Sequence, residues 1–232
     1  MPVRLAGKNA SPYARLGNLK VLYLKLKSEF GFLDWWPGET PDKILIGAVL
    51  TQNTAWKNVE KAISNLEKAG MLSVCAIAGA ESKTIEAEIR PSGFYRQKAA
   101  HLKGICMHIE ENGGLSRFFR KDAHELRLEL MALNGIGNET ADSILLYAAG
   151  KPVFVIDAYT KRIMSRVYGI SERLGYLSLQ QIITNGIEKS IPLYKDFHAQ
   201  LVELAKRYCR KKPLCGECPL RGFCLYANSS RA

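Results

Sequence analysis

An all-α protein is what this sequence predicts, on three observations. Apolar residues recur at spacings of three and four, the period of a helix face. β-Branched residues are scattered, and "VFVI" at Val153–Ile156 is the only short run that could pair as a strand. An acidic or proline-led start precedes several of the apolar runs, as helix N-termini require.

Each element follows from that pattern. Leu16, Leu19, Leu22 and Leu26 mark a first helix, and Ile44, Ala48 and Val49 a second that opens after Pro41. "DAHELRLELMAL" begins with Asp122 and has Glu125 three residues on, a capping-box signature. Its apolar positions Leu126, Leu128, Leu130, Met131 and Leu133 carry that helix to the turn "NGIG". Later helices are expected over Ala158–Tyr168, Leu179–Lys189 and Tyr194–Tyr208. Breaks at "GFLDWWPGETP" and "AAGKPV" set off residues 30–150 as a central helical-bundle lobe. Residues 1–29 and 151–232 then form a second lobe, in which the first helix packs with the C-terminal helices.

Composition narrows the class. Apolar residues make up 47% of the 232 and charged residues 24%, as in soluble globular proteins. The 33 Lys+Arg exceed the 22 Asp+Glu, giving +11. That surplus points to a polyanionic partner, although a well-charged soluble surface gives the same balance. No apolar run approaches the roughly 18 residues that span a bilayer, and "MPVRLAGKNASPYARLG" lacks the apolar core of a signal peptide. A cytoplasmic, prokaryotic protein with no membrane association is the expectation.

Three local features carry chemistry. In "LNGIGNETADSILLY" (Leu133–Tyr147), Gly135 and Gly137 permit positive φ and leave no side chain in the way of a phosphate. Peptide N–H groups opening the next helix would face that anion, with Ile136 plugging the turn into the core. A plain interhelical turn is the alternative. Asp157 follows the apolar run "VFVI"; a carboxylate there can stay ionised beside developing positive charge, or simply cap the helix that follows. Arg162 and Arg166 come shortly after, placed for phosphates. Finally, "CRKKPLCGECPLRGFC" gathers Cys209, Cys215, Cys218 and Cys224 as C-x5-C-x2-C-x5-C. Four thiols on so short a loop in a reducing compartment point to a metal, a 4Fe–4S cluster ahead of zinc. Lys211 and Lys212 sit in the first of these loops. Cys75 and Cys106 stand alone and are expected as small apolar residues.

Together the hairpin, the aspartate, the cysteine loop, "TQNT" (Thr51–Thr54) and "GFYRQKA" (Gly93–Ala99) resemble the helix–hairpin–helix DNA glycosylases of the endonuclease III type. The resemblance implies two α-helical lobes with damaged double-stranded DNA bound in the cleft between them, by a monomer. It also implies that Asp157 is the catalytic carboxylate. Members that nick the backbone carry a lysine where this chain has Glu139, and a carboxylate cannot form a Schiff base. Base removal without strand cleavage is therefore expected.

"WWP" (Trp35–Pro37), "LIGAVLTQNT" (Leu45–Thr54), "RPSGFY" (Arg90–Tyr95) and "GIGNETADSILLY" are similar to the 3-methyladenine DNA glycosylase III branch, whose pattern includes the acid at Glu139. The best-known member of that branch lacks the cluster, which is a departure here. The resemblance implies alkylated purines as substrate. Trp36 and Trp56 would line a base pocket, Trp35 would line it or belong to the core, and Gln52 would fill the gap left by the flipped base. Gly135, Ile136, Gly137, Arg162, Lys211 and Lys212 are the expected DNA contacts. Phe94 is placed to wedge into the base stack or to be buried, and Tyr159, Lys161 and Lys98 are further candidates for the cleft.

Overall fold

The computed structural model describes residues 19–33 and 40–229. Trp35, Trp36 and Leu16 lie outside the described residues. In chain order the helices are α1 (Leu19–Phe30), α2 (Pro41–Leu50), α3 (Trp56–Lys68), α4 (Val74–Gly79), α5 (Ser82–Glu88), α6 (Tyr95–Glu111), α7 (Leu115–Phe118), α8 (Ala123–Ala132), α9 (Asn138–Ser143), α10 (Ala158–Tyr168), α11 (Tyr176–Asn185) and α12 (Ile191–Arg207). No strand occurs among the described residues. They group into two compact units, one holding residues 40–153, the other residues 19–33 and 154–229.

The 40–153 unit is built on α2. Thr40 caps it, its Oγ1 accepting from Lys43 N, and Pro41 occupies the first turn, where its missing N–H costs nothing. Residues Ile44 to Leu50 are all buried, so this helix is apolar all round and sits inside its bundle. α3 and α6 pack against it, closing a core that runs from Leu45 to Leu145 and includes Ile136 of the "NGIG" turn. α8 starts where its sequence requires: Asp122 accepts from the N–H groups of His124 and Glu125. Only Leu126 and Leu130 of its expected apolar positions are buried, and Leu128 is exposed. The helix drops one face into the core, and a leucine between the two anchors points to water.

The other unit centres on α12, which packs against α1 and α10. Asp196 of α12, fully buried, accepts from Tyr23 Oη (2.7 Å), Leu33 N (2.9 Å) and Gln200 Nε2 (3.1 Å). Burial and that carboxylate raise the Tyr23 phenol well above its usual range. Three donors on one carboxylate make the buried charge tolerable and tie α12 to the end of α1. The "VFVI" run belongs to neither a helix nor a strand. Phe154, Val155 and Ile156 are buried as an apolar segment would be, yet side chains satisfy the backbone in place of a sheet. Gln180 Nε2 donates to Phe154 O, and Tyr176 Oη accepts from Ile156 N. α10 spans the expected residues; α11 and α12 begin three residues earlier than their apolar pattern suggested, α12 because Ser190 and Pro192 supply its cap and first turn.

Candidate active site

In the 40–153 unit, α8 and α9 form the helix–hairpin–helix. Gly135 has φ +82, and a Cβ there would fall 2.1 Å from His101 Nδ1 on α6, so this position requires glycine twice over. Gly137 does not. Its φ of −96 and ψ of 179 are ordinary extended geometry, and nothing lies within 4 Å of an added Cβ. The structure corrects the expectation of positive φ at this second glycine: Gly137 is the N-cap of α9, a position whose backbone any residue adopts. Ile136 is buried, 6% exposed.

Glu139 is exposed in the first turn of α9, where an acid suits the helix dipole. A partly buried ion pair joins the two hairpin helices. Arg127 of α8 donates to Asp142 through Nε (2.6 Å) and Nη2 (3.3 Å), and through Nη2 to Asn138 Oδ1. Asp142 is fully buried.

Gln52 follows α2, and its Nε2 donates to Gly135 O and Thr140 Oγ1, both at 3.0 Å. The turn it occupies continues through Asn53, with φ 50. Phe94 shares that unusual backbone (φ 48), and the residue is 67% exposed, which decides against burial. Trp56 opens α3, half-buried against the core, with Nε1 donating to Glu60 Oε1 at 3.0 Å. Lys98 is buried and donates to two backbone carbonyls; burial lowers its ammonium to about 8.

In the other unit Asp157 is both a cap and a held carboxylate. Oδ1 accepts from Thr160 N at 2.6 Å, so the capping reading describes one of its oxygens. Oδ2 lies 3.6 Å from Nε2 of His198, a buried residue of α12. Burial by itself would raise the Asp157 carboxyl, but His198 and the Thr160 N–H outweigh it and hold the group below its ordinary value. His198 was not singled out from the sequence. The signal was there: Asp196, His198 and Gln200 are polar residues interspersed with the apolar Phe197, Ala199, Leu201 and Val202 of α12.

α10, which Asp157 caps, lies against the cysteine loop. Arg162 Nε donates to Cys209 O (2.8 Å) and its guanidinium stacks on Tyr159 at 5.2 Å. Arg166 donates to Cys209 Sγ (3.4 Å), Arg210 O and Lys211 O, while its own carbonyl accepts from Tyr226 N. Both arginines therefore anchor the loop. Lys211 and Lys212 are exposed on it, at the rim of a cavity of about 600 Å³.

None of the four cysteines of this loop forms a disulfide. Burial pushes the Cys218 thiol up to about 11. No three His, Cys, Asp or Glu side chains among the described residues converge as the ligands of a single ion do. Four free thiols on one short loop are the donor set that a 4Fe–4S cluster takes.

The chain matches the HhH-GPD superfamily base excision DNA repair proteins over residues 46–189 and the iron–sulfur binding domain of endonuclease III over residues 210–224. A provisionally named DNA repair glycosylase of Methanocaldococcus jannaschii is 44% identical over 207 residues, 88% of this chain and 94% of that one. The thymine-DNA glycosylase of Aeropyrum pernix is 29% identical over 202 residues, 85% and 87% of the two chains. Among solved structures, the Helicobacter pylori 3-methyladenine DNA glycosylase bound to 1,N6-ethenoadenine superposes with a TM-score of 0.71 at 31% identity, covering 85% of this chain and 98% of that one. A trapped endonuclease III–DNA covalent intermediate gives 0.78 at 21% identity, covering 92% and 97%, a likeness of fold.

Proposed function

The chain belongs to the HhH-GPD superfamily of base excision DNA repair proteins and is a DNA glycosylase with a 4Fe–4S cluster; from that premise we propose that it is monofunctional and releases alkylated purines of the 3-methyladenine and 7-methylguanine type from duplex DNA. The observation that carries this reading is the held, ionised carboxylate of Asp157, in a chain whose hairpin helix carries Glu139.

The chemistry needs little more. A purine alkylated at N3 or N7 is cationic and leaves without a general acid. As its bond to C1′ stretches, the sugar gains oxocarbenium character, and the Asp157 carboxylate stabilises that charge while water attacks. His198 and the Thr160 N–H keep this carboxylate ionised and in one orientation. Glu139 has no amine with which to capture C1′, so the strand stays intact.

Trp56 offers an aromatic face to the flat cationic base, which gains roughly 1–3 kcal/mol by stacking. Gln52 and the exposed Phe94 take the places of the flipped base and of the wedge between its neighbours. The Gly135–Gly137 backbone, with Lys211 and Lys212, meets phosphates. Cys209, Cys215, Cys218 and Cys224 would hold the cluster, which cross-links the basic loop; base release transfers no electrons.

Incubation with methylated duplex DNA tests the proposal. Release of 3-methyladenine or 7-methylguanine, lost in Asp157→Asn while DNA binding remains, is expected. Borohydride trapping should give no covalent adduct. A second reading, excision of mismatched or deaminated pyrimidines, is favoured by the Aeropyrum pernix relative; release of thymine or uracil with no methylated purine would establish it instead.

A further inference from the structure

Lys98 is buried beneath two turns of the 40–153 unit. Its Nζ donates to Leu50 O and to Ser92 O, each at 2.8 Å, and only 3% of the residue is exposed. Leu50 is the last residue of α2, and the chain beyond it runs through Thr51 to Gln52 and Asn53. Ser92 ends a single 3-10 turn (Arg90–Ser92), and the chain beyond it runs through Gly93 to Phe94.

Asn53 and Phe94 are the two non-glycine residues with positive φ among those described, at 50 and 48. Such backbone persists only where the surroundings hold it, and it clusters at functional sites. The Lys98 backbone N–H also bonds Phe94 O, so this one residue grips the chain on both sides of Gly93. On the other side Gln52 is fixed to Gly135 O. Hydrogen bonds at Gln52 and at Lys98, joined by the short stretch of chain from Leu50 to Gln52, thus link the hairpin to Phe94.

We propose that Lys98 is a positioning residue for base extrusion: its ammonium sets the spacing between the Gln52 turn and the Phe94 turn, so that both enter the same base step. The inference rests on the proposed roles of Gln52 and Phe94 in base flipping. A cation at the C-terminal end of α2 could instead serve the stability of that helix alone. The two roles differ in one consequence. A spacing device matters where a paired base must be unstacked, and much less where the lesion is already unpaired.

The test compares single-turnover base release by the full-length, cluster-loaded protein and its Lys98→Met variant on two duplexes. Both carry one 7-methylguanine, opposite cytosine in the first and opposite an abasic analogue in the second. The expected result is about a tenfold loss opposite cytosine, shrinking to within about threefold opposite the abasic analogue. An equal loss on both duplexes, or none on either, overturns the proposal. Should Lys98→Met fail to fold, Lys98→Gln, which keeps two N–H donors on a shorter neutral chain, must show the same relief. If the wild type releases nothing from either duplex, the alkylpurine reading has failed, not this one. The spacing role is then read from 2-aminopurine fluorescence beside a base-paired nucleotide that cannot be hydrolysed. Enhancement by wild type but not by Lys98→Met supports it, and equal enhancement overturns it.

Discussion

The hairpin glycines are alike in sequence and unlike in what they tolerate. Gly135→Ala places a Cβ in the left-handed region at φ +82 and 2.1 Å from His101 Nδ1. The backbone penalty is about 1–2 kcal/mol. Displacing the imidazole from a packed site adds about 1–3 kcal/mol of overpacking. The total, about 2–5 kcal/mol, lowers Tm by roughly 4–20 °C for a chain of this length.

The two contributions separate in a double-mutant cycle. His101→Ala removes the ring that the new Cβ strikes and leaves the φ penalty in place. The Gly135→Ala/His101→Ala protein should therefore be more stable than the two single changes add up to, by about 1–3 kcal/mol. Gly137→Ser is the control. Its backbone is extended and the space beside it open, so stability should change by no more than about 0.5 kcal/mol. Urea denaturation followed by far-UV circular dichroism measures all four proteins. Gly135→Ala within about 1 kcal/mol of wild type, or a coupling of zero with His101→Ala, would refute the idea that backbone strain and the His101 ring together demand glycine at this position.

Other outcomes follow from the same geometry. Arg127→Met removes the guanidinium that faces the buried Asp142 carboxylate and should cost about 3–5 kcal/mol in urea denaturation; Arg127→Met with Asp142→Leu should recover most of it, and no recovery would mean that the cost lies in packing. Asp157 is held below the ordinary carboxylate value, so its contribution to stability is present above about pH 3.9 and lost as pH falls through the depressed value. His198→Leu removes the strongest influence holding it down, and the acid limb of the base-release profile should move to higher pH; an unmoved limb would exclude His198 from that role. Cys218→Ser should abolish the visible sulfur-to-iron absorbance and weaken DNA binding more than it slows release from bound DNA, as measured by titration and single-turnover assays. Arg166→Leu, which removes the anchor of Cys209, Arg210 and Lys211, should weaken DNA binding in the same sense with the absorbance retained.

How much of this was legible in the sequence depended on whether a feature is local. Helical periodicity, the Asp122 cap, the Ile136 plug and the cysteine spacing are set by neighbours a few residues apart, so the chain displays them directly. The family and its cluster were readable for the same reason, from short motifs whose chemistry depends on spacing. "VFVI" was ambiguous because a buried run looks alike whether a strand or the Gln180 and Tyr176 side chains satisfy its backbone.

What only the tertiary structure decided concerns partners distant in the chain. Gly135 and Gly137 part company because His101, on another helix, stands against one and not the other. Asp157 is more than a cap because α12 brings His198 to its second oxygen. Arg162 and Arg166 are drawn into the cysteine loop, and Lys98 joins two turns that lie far apart in sequence. A pattern of residue types states which groups exist. Which of them meet is settled by packing, because burial leaves a charge or a donor no water to fall back on and makes its one protein partner decisive.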